Sequence, residues 1–119
     1  MSEIEALAWL DSSDNPFAQK IRKKLKLICS RNWNKKNQEI LFYRYFKASL
    51  PGAIDDGWRC FFKMMSCSRL LKLVENDILD DEKSIDLAIY SLSYIFKEIN
   101  FNQKDISKIH NFLDKYRVN

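Results

Sequence analysis

The sequence predicts an all-α fold, a compact single-domain bundle of about five to seven short helices. Only 2 glycines and 2 prolines occur in 119 residues, whereas a β-sandwich or barrel needs a turn about every 8–12 residues. Apolar residues instead recur at helical spacing in one segment after another. With 46% hydrophobic and 30% charged residues, the composition is that of a globular chain of one-domain length. We therefore expect residues 1–119 to form one helical domain.

Capping signals predict where the first two helices begin. Ser2 and Glu5 have the spacing of a capping box, which predicts a short helix over 3–11, either part of the bundle or appended to it. Asn15 followed by Pro16 predicts the start of a second helix. Apolar residues cover one side of this second helix. Cations cover the other side, here called the basic face: Lys20, Arg22, Lys23, Lys24, Lys26 and Arg31, with Leu27 in its middle.

The middle of the chain predicts a buried central helix. Asn34 is a suitable cap for a helix over 35–49, whose apolar residues point nearly all round the wheel, as in a core helix. The segment 40–46 is also rich in strand-forming residues, but no second strand candidate exists to pair with it. We therefore expect a helix there.

A clear break at Pro51 and Gly52 separates this segment from the next helix. Asp55 or Asp56 is placed to cap that helix. The segment 66–68 predicts a kink or restart, because the apolar positions before and after it do not share one face. The helix then continues to about residue 79.

The strongest helical pattern covers residues 82–99, after a cap at Asp80 and Asp81. One apolar stripe defines its inner side: Ile85, Ala88, Ile89, Leu92, Ile95, Phe96 and Ile99. A smaller group on the opposite side, here called the tyrosine face, consists of Leu87, Tyr90 and Tyr94. Such a second face is either sandwiched in the bundle or docked on a partner. A last helix follows, capped by Asn102.

Charge is strongly segregated along the chain. Residues 20–47 contain ten cations and one carboxylate, a net charge of +9, whereas residues 75–105 have a net charge of −5. A basic block of this kind is either the footprint of an anionic partner or a solvated helix face.

Motifs for catalysis and for cofactor or metal binding are not found. Two isolated glycines cannot form a phosphate-binding loop, and no four ligands have zinc-site spacing. His110 is the single histidine, and nothing in the sequence pairs it with one of the three cysteines, Cys29, Cys60 and Cys67. We interpret these cysteines as small buried hydrophobic residues. We expect no enzyme, no cofactor and no metal.

The sequence also predicts where in the cell the protein is located. No apolar stretch approaches the roughly 18 residues of a membrane span. The first residues lack the pattern of a secretory signal, and an odd number of cysteines suits a reducing compartment. We expect a cytoplasmic protein that does not contact membranes.

The leading hypothesis is a small non-enzymatic interaction or regulatory protein that docks on a macromolecular partner, most simply a protein. The basic face provides its docking surface, and Leu27 and Trp33 provide the buried hot spot. The alternative is a nucleic-acid-binding protein, or a small helical subunit of a ribonucleoprotein complex, that uses the same face on phosphates. The tyrosine face is the second candidate interface.

Overall fold

The computed structural model describes residues 2–12, 18–46, 54–78 and 82–116. Across these ranges the chain forms seven α-helices and one π-helical turn, and no strand. The helices are α1 (Glu3–Ser12), α2 (Ala18–Cys29), α3 (Lys35–Leu41), α4 (Ile54–Met64), α5 (Cys67–Ile78), α6 (Glu82–Glu98) and α7 (Gln103–Tyr116). The predicted all-α fold is confirmed.

The segment 40–46 is helical, so the strand alternative is wrong. α3 ends at Leu41 and passes directly into the π-helical turn Phe42–Phe46. The wider turn lets Phe42, Tyr45 and Phe46 all face inward. The predicted helix 35–49 is therefore an α-helix for less than half its length, and residues 47–49 lie outside the described ranges.

Side-chain caps begin several helices where the sequence predicts them. The Glu5 N–H donates to Ser2 Oγ at 3.1 Å, and the Ser2 hydroxyl donates to the Glu5 carboxylate at 3.2 Å. Asn34 Oδ1 accepts from the Asn37 N–H at 2.8 Å, and Asn102 caps α7 in the same way. The bonds donated by the N–H groups of Glu5, Asn37 and Asp105 satisfy backbone donors that the first helical turn leaves unpaired. The predicted starts at 15–16 and 80–81, and the break at 51–52, lie outside the described residues.

The break before α5 is also where the sequence predicts it. α4 ends at Met64, and α5 begins at Cys67 after a bend. Ser66 Oγ accepts from the Arg69 N–H at 3.3 Å, which caps the restarted helix. The two helices therefore expose different faces to the core, as the discontinuous apolar pattern indicates.

α4 lies at the centre of the fold, packed against α2, α6 and the π-helical turn. Its Trp58 and Phe61 are fully buried. The Phe46 ring lies edge-on to Trp58, with centroids 4.9 Å apart, and stacks on Phe42 at the same distance. This aromatic cluster sets α2 and α6 beside the same central helix, and these two helices present the candidate surfaces. Within the described ranges, none of the helices has the length and hydropathy to cross a bilayer.

Candidate functional site

The basic face of α2 is only partly a solvated surface. The side chains of Lys20, Arg22 and Lys23 lie outside the described set, and Lys26 is exposed. Lys24 contradicts the prediction, because it is only 8% exposed and its Nζ lies 5.4 Å from the centroid of the Tyr45 ring. Its position one turn before the buried Ile28 turns its apolar stem toward the core, while the ammonium interacts with the ring.

Trp33 is buried inside the fold, so it is not the exposed side chain that a hot spot for a partner requires. It is 5% exposed, and its Nε1 donates to the Ile28 carbonyl oxygen at 2.7 Å. This bond gives the indole N–H the partner that a buried tryptophan needs. The Arg31 guanidinium lies over the ring, 5.0 Å from its centroid. The tryptophan thus helps to end α2 and to hold the chain before α3.

The segment between α2 and α3 is also joined to α1. Arg31 donates to the Ser2 carbonyl oxygen at 3.5 Å. Glu3 accepts two hydrogen bonds from Asn34, one from the backbone N–H at 2.7 Å and one from the side chain at 3.2 Å. The asparagines and arginine around Trp33 therefore form a structural junction of α1, α2 and α3.

Leu27 is half-buried against the core and does not stand alone on a solvated face. Both apolar members of the predicted hot spot, Leu27 and Trp33, are thus used in packing. Of the described residues of the basic face, Lys26 is exposed and Arg31 is partly exposed. As far as its side chains are described, the basic face is consequently smaller and less apolar than the sequence predicts.

The tyrosine face of α6, in contrast, is exposed. Leu87, Tyr90 and Tyr94 are 45%, 78% and 52% exposed, whereas Ala88 and Leu92 on the inner side are buried. The interpretation of the tyrosine face as a second core face is therefore wrong. Large exposed hydrophobic groups that share one helix face are typical of interaction sites.

Two carboxylates bracket the tyrosines along α6. Asp86, Tyr90, Tyr94 and Glu98 are each four residues apart, so they form one row on the helix surface, here called the bracketed row. All four side chains are exposed. A hydrogen bond with Glu98 raises the pKa of the Tyr94 hydroxyl. The bracketed row was missed in the sequence, although its i, i+4 spacing could have revealed it.

More carboxylates reach the edge of the bracketed row from the start of α4. Asp55 accepts a short hydrogen bond from Ser91 Oγ, which lies next to Tyr90 on α6. Arg59 pairs with Glu98 and lies 3.9 Å from Asp56. Lys97 is a nearby exposed cation on α6 itself. The surroundings of the tyrosines thus contain more carboxylates than cations.

A groove of about 450 Å³ lies between α2 and α4. Lys26 and Cys29 line it from α2, and Arg59, Cys60 and Lys63 line it from α4. The sequence separates these two sets by about thirty residues, so only the packing of the two helices brings them together. His110 lies elsewhere on the surface, paired with Asp114 at 3.2 Å. No group of three or more histidines, cysteines or acids that could hold a metal occurs in the described part of the chain.

Comparison with known proteins gives no relative from which a role could be transferred. No protein-family model, no curated protein and no solved structure matches the chain. Function must therefore be argued from the surfaces.

Proposed function

We propose that this protein is a non-enzymatic interaction protein that binds a basic segment of a partner protein on the tyrosine face of α6. The observation that supports this proposal best is the bracketed row, in which two exposed tyrosines lie between the carboxylates of Asp86 and Glu98. The basic face, the other candidate, has one apolar anchor, Trp33, in the core and the other, Leu27, half-buried against it.

The chemistry of the bracketed row fits arginine and lysine side chains. A guanidinium stacks on a tyrosine ring, and the same group forms paired hydrogen bonds with a carboxylate. From Asp86 to Glu98 the row runs about 18 Å along the helix, at 1.5 Å per residue. A partner segment along this line contacts both rings and both carboxylates, and Leu87 contributes apolar area beside them.

Charge complementarity selects a basic partner over an acidic one. Residues 75–105 have a net charge of −5, and Asp55 and Asp56 add carboxylates at the edge of α6. The whole chain has a net charge of +4, so a cationic segment is repelled by most of the molecule and attracted by this region. Specificity for the tyrosine face follows from this contrast.

The test uses a fluorescein-labelled oligoarginine peptide and fluorescence anisotropy at low salt. We expect the double variant Tyr90→Ala/Tyr94→Ala to bind at least about tenfold more weakly, a loss of about 1.4 kcal/mol. The matched control is Tyr43→Ala, because Tyr43 is a similarly exposed tyrosine on the π-helical turn. Equal binding by the double variant and the wild type would contradict the proposal, as would an equal loss in the control.

A second candidate function is binding of nucleic acid in the groove between α2 and α4. It is favoured by the exposed Lys26 and Lys63, which line that groove from opposite sides. Its test is the affinity for labelled duplex DNA as a function of salt. In a plot of log affinity against log salt concentration, each neutralised phosphate contributes about 0.9 to the slope. A steep slope for the wild type that becomes shallower in the variant Lys26→Glu/Lys63→Glu supports this function. Binding by neither the wild type nor the variant excludes it. Lys24 is left unchanged because it is buried.

A further inference from the structure

Two of the three cysteines meet at the interface between α2 and α4. The Cys29 sulfur lies 3.7 Å from the carbonyl oxygen of Lys26, and the Cys60 sulfur lies 3.5 Å from that of Leu25. Leu25 and Lys26 are consecutive residues, so both sulfurs contact the same turn of α2. Cys29 also lies close enough to Cys60 to raise the pKa of the Cys60 thiol. The sequence gives no hint of this pair, since its members are thirty-one positions apart.

The two thiols differ in access to solvent. Cys29 is partly exposed, whereas Cys60 is buried. Both line the groove between α2 and α4, which is large enough to admit a small molecule. A reagent that enters the groove therefore reaches Cys29 more readily than Cys60.

We propose that Cys29 and Cys60 form a site of reversible thiol modification, at which a small-molecule disulfide converts the two thiols into a disulfide that joins α2 to α4. The site is separate from the tyrosine face and does not depend on the proposed function.

The reaction proceeds in two exchange steps. The Cys29 thiolate attacks one sulfur of the small disulfide, whose S–S bond breaks and releases one thiolate, leaving a mixed disulfide on Cys29. The Cys60 sulfur then attacks the Cys29 sulfur, and the second small thiolate leaves and takes up the proton that Cys60 loses. The protein loses two protons and two electrons, and the small disulfide gains them as two thiols.

The environment of Cys60 assigns the order of the steps. Burial raises the pKa of the Cys60 thiol well above its ordinary value, and the neighbouring Cys29 raises it further, while Lys63 opposes the shift. Cys60 is therefore protonated at neutral pH and is a poor first nucleophile. It acts as the resolving thiol, because its attack becomes effective only once a mixed disulfide is held beside it.

Cys67 provides an internal control. It is buried at the start of α5, and burial raises the pKa of its thiol to about 11. Its charged neighbours are Asp105 and Lys108, in contrast to the thiol neighbour of Cys60. Cys67 should therefore neither react first nor resolve a mixed disulfide at Cys29.

The experiment treats the folded full chain with oxidised glutathione and analyses it by mass spectrometry and tryptic digestion without reduction. We expect a product lighter by two hydrogen atoms, with peptide 27–31 linked to peptide 60–63. The Cys67→Ser variant should give the same product, and Cys60→Ser should stop as a glutathione adduct on Cys29.

Three results would overturn the proposal. They are a wild-type product that retains glutathione on Cys29, a link to Cys67, and no reaction of the folded chain. Since Cys60→Ser alters a buried position, circular dichroism checks its fold. As a second measurement, wild type alkylated at Cys29 with iodoacetamide should form no intramolecular disulfide. Disulfide formation in that sample would also contradict the proposal.

Discussion

α2 and α6 are both amphipathic helices that flank α4, yet their outer faces differ in how much of them is exposed to solvent. α2 is highly cationic, and Lys24 from its basic face packs into the core. α6 carries two tyrosines and a leucine opposite its inner stripe, and the structure leaves all three exposed. From residue type alone, the lysine would be expected on the surface, and the tyrosines and the leucine in the core. The difference shows that neighbouring elements, and not the helical wheel, decide which side chains are exposed.

The neighbours of each helix explain this difference. α2 packs against α4, while Tyr45 from the π-helical turn and Trp33 from the following junction extend over further parts of it. α6 packs against α4, α5 and α7, and its inner stripe is buried against them, while Ser91 and Glu98 also contact Asp55 and Arg59 of α4. An additional neighbour therefore covers part of the basic face of α2, whereas the described elements leave the tyrosine face uncovered.

The largest expected effect is that of Trp33→Ala. Because Trp33 is part of the core, its removal should lower the free energy of unfolding by about 3–5 kcal/mol. Urea denaturation measures this loss. The control is Trp9→Ala, since Trp9 on α1 is about half exposed and should contribute less. A loss below about 1 kcal/mol at Trp33 would contradict its burial and restore it as an interface residue.

The second prediction compares the two faces of α6. Leu92 is fully buried, so Leu92→Ala should cost about 2–5 kcal/mol in the free energy of unfolding. Leu87→Ala, on the tyrosine face, should change it by no more than about 0.5 kcal/mol. Both values come from chemical denaturation of the full chain. Equal costs would mean that both faces are packed, and the proposed docking surface would be withdrawn.

The sequence predicts the helices well because their signals are local. The caps at Ser2, Asn34 and Asn102, and the break before α5, depend on residues a few positions apart. The apolar stripe of α6 likewise predicts its inner face, because a strict helical period over seventeen residues leaves little ambiguity.

The surfaces are predicted less well because they depend on tertiary contacts. Nothing near Lys24 in the sequence identifies Tyr45 as the ring that will cover it, and nothing near Cys29 points to Cys60. The tyrosines of α6 show the same difficulty, since the sequence leaves both a core face and an interface open. The bracketed row was within reach of sequence analysis, because its four residues lie on one helix.

The third prediction compares two lysines of α2. Lys24→Ala removes a packed stem and a cation–π contact, so we expect a loss of about 0.5–2 kcal/mol in unfolding free energy. Lys26→Ala, two residues away on the exposed side, should stay within about 0.5 kcal/mol. Thermal and urea denaturation of the two variants give the comparison. Equal effects would show that Lys24 is as solvated as Lys26. Lys24 would then count again as an exposed residue of the basic face.

The smallest expected change in stability is that of a surface cluster formed by Glu75, Lys115 and Tyr116. Lys115 on α7 lies as close to a tyrosine ring as Lys24 does. Its Nζ is 5.4 Å from the Tyr116 ring centroid, but its side chain is 64% exposed. Glu75 on α5 accepts from Lys115 Nζ at 2.7 Å and from the Tyr116 hydroxyl at 2.6 Å. These two hydrogen bonds lower the pKa of the Glu75 carboxyl below its ordinary 4.5.

The direction of the pKa shift fixes the pH at which Glu75 matters. Because its folded-state pKa is lowered, its contribution is fully present above about pH 4.5 and is lost as the pH falls through the lower, folded value. Solvent screens this surface cluster, so Glu75→Gln should cost no more than about 1 kcal/mol at pH 7. Urea denaturation at pH 7 and at pH 3 measures the difference between wild type and variant. That difference should shrink at pH 3, and a difference that stays constant would mean that the charge of Glu75 contributes nothing. A cost above that of Lys24→Ala would contradict the comparison itself, because burial would then not decide how much a charged contact stabilises the fold.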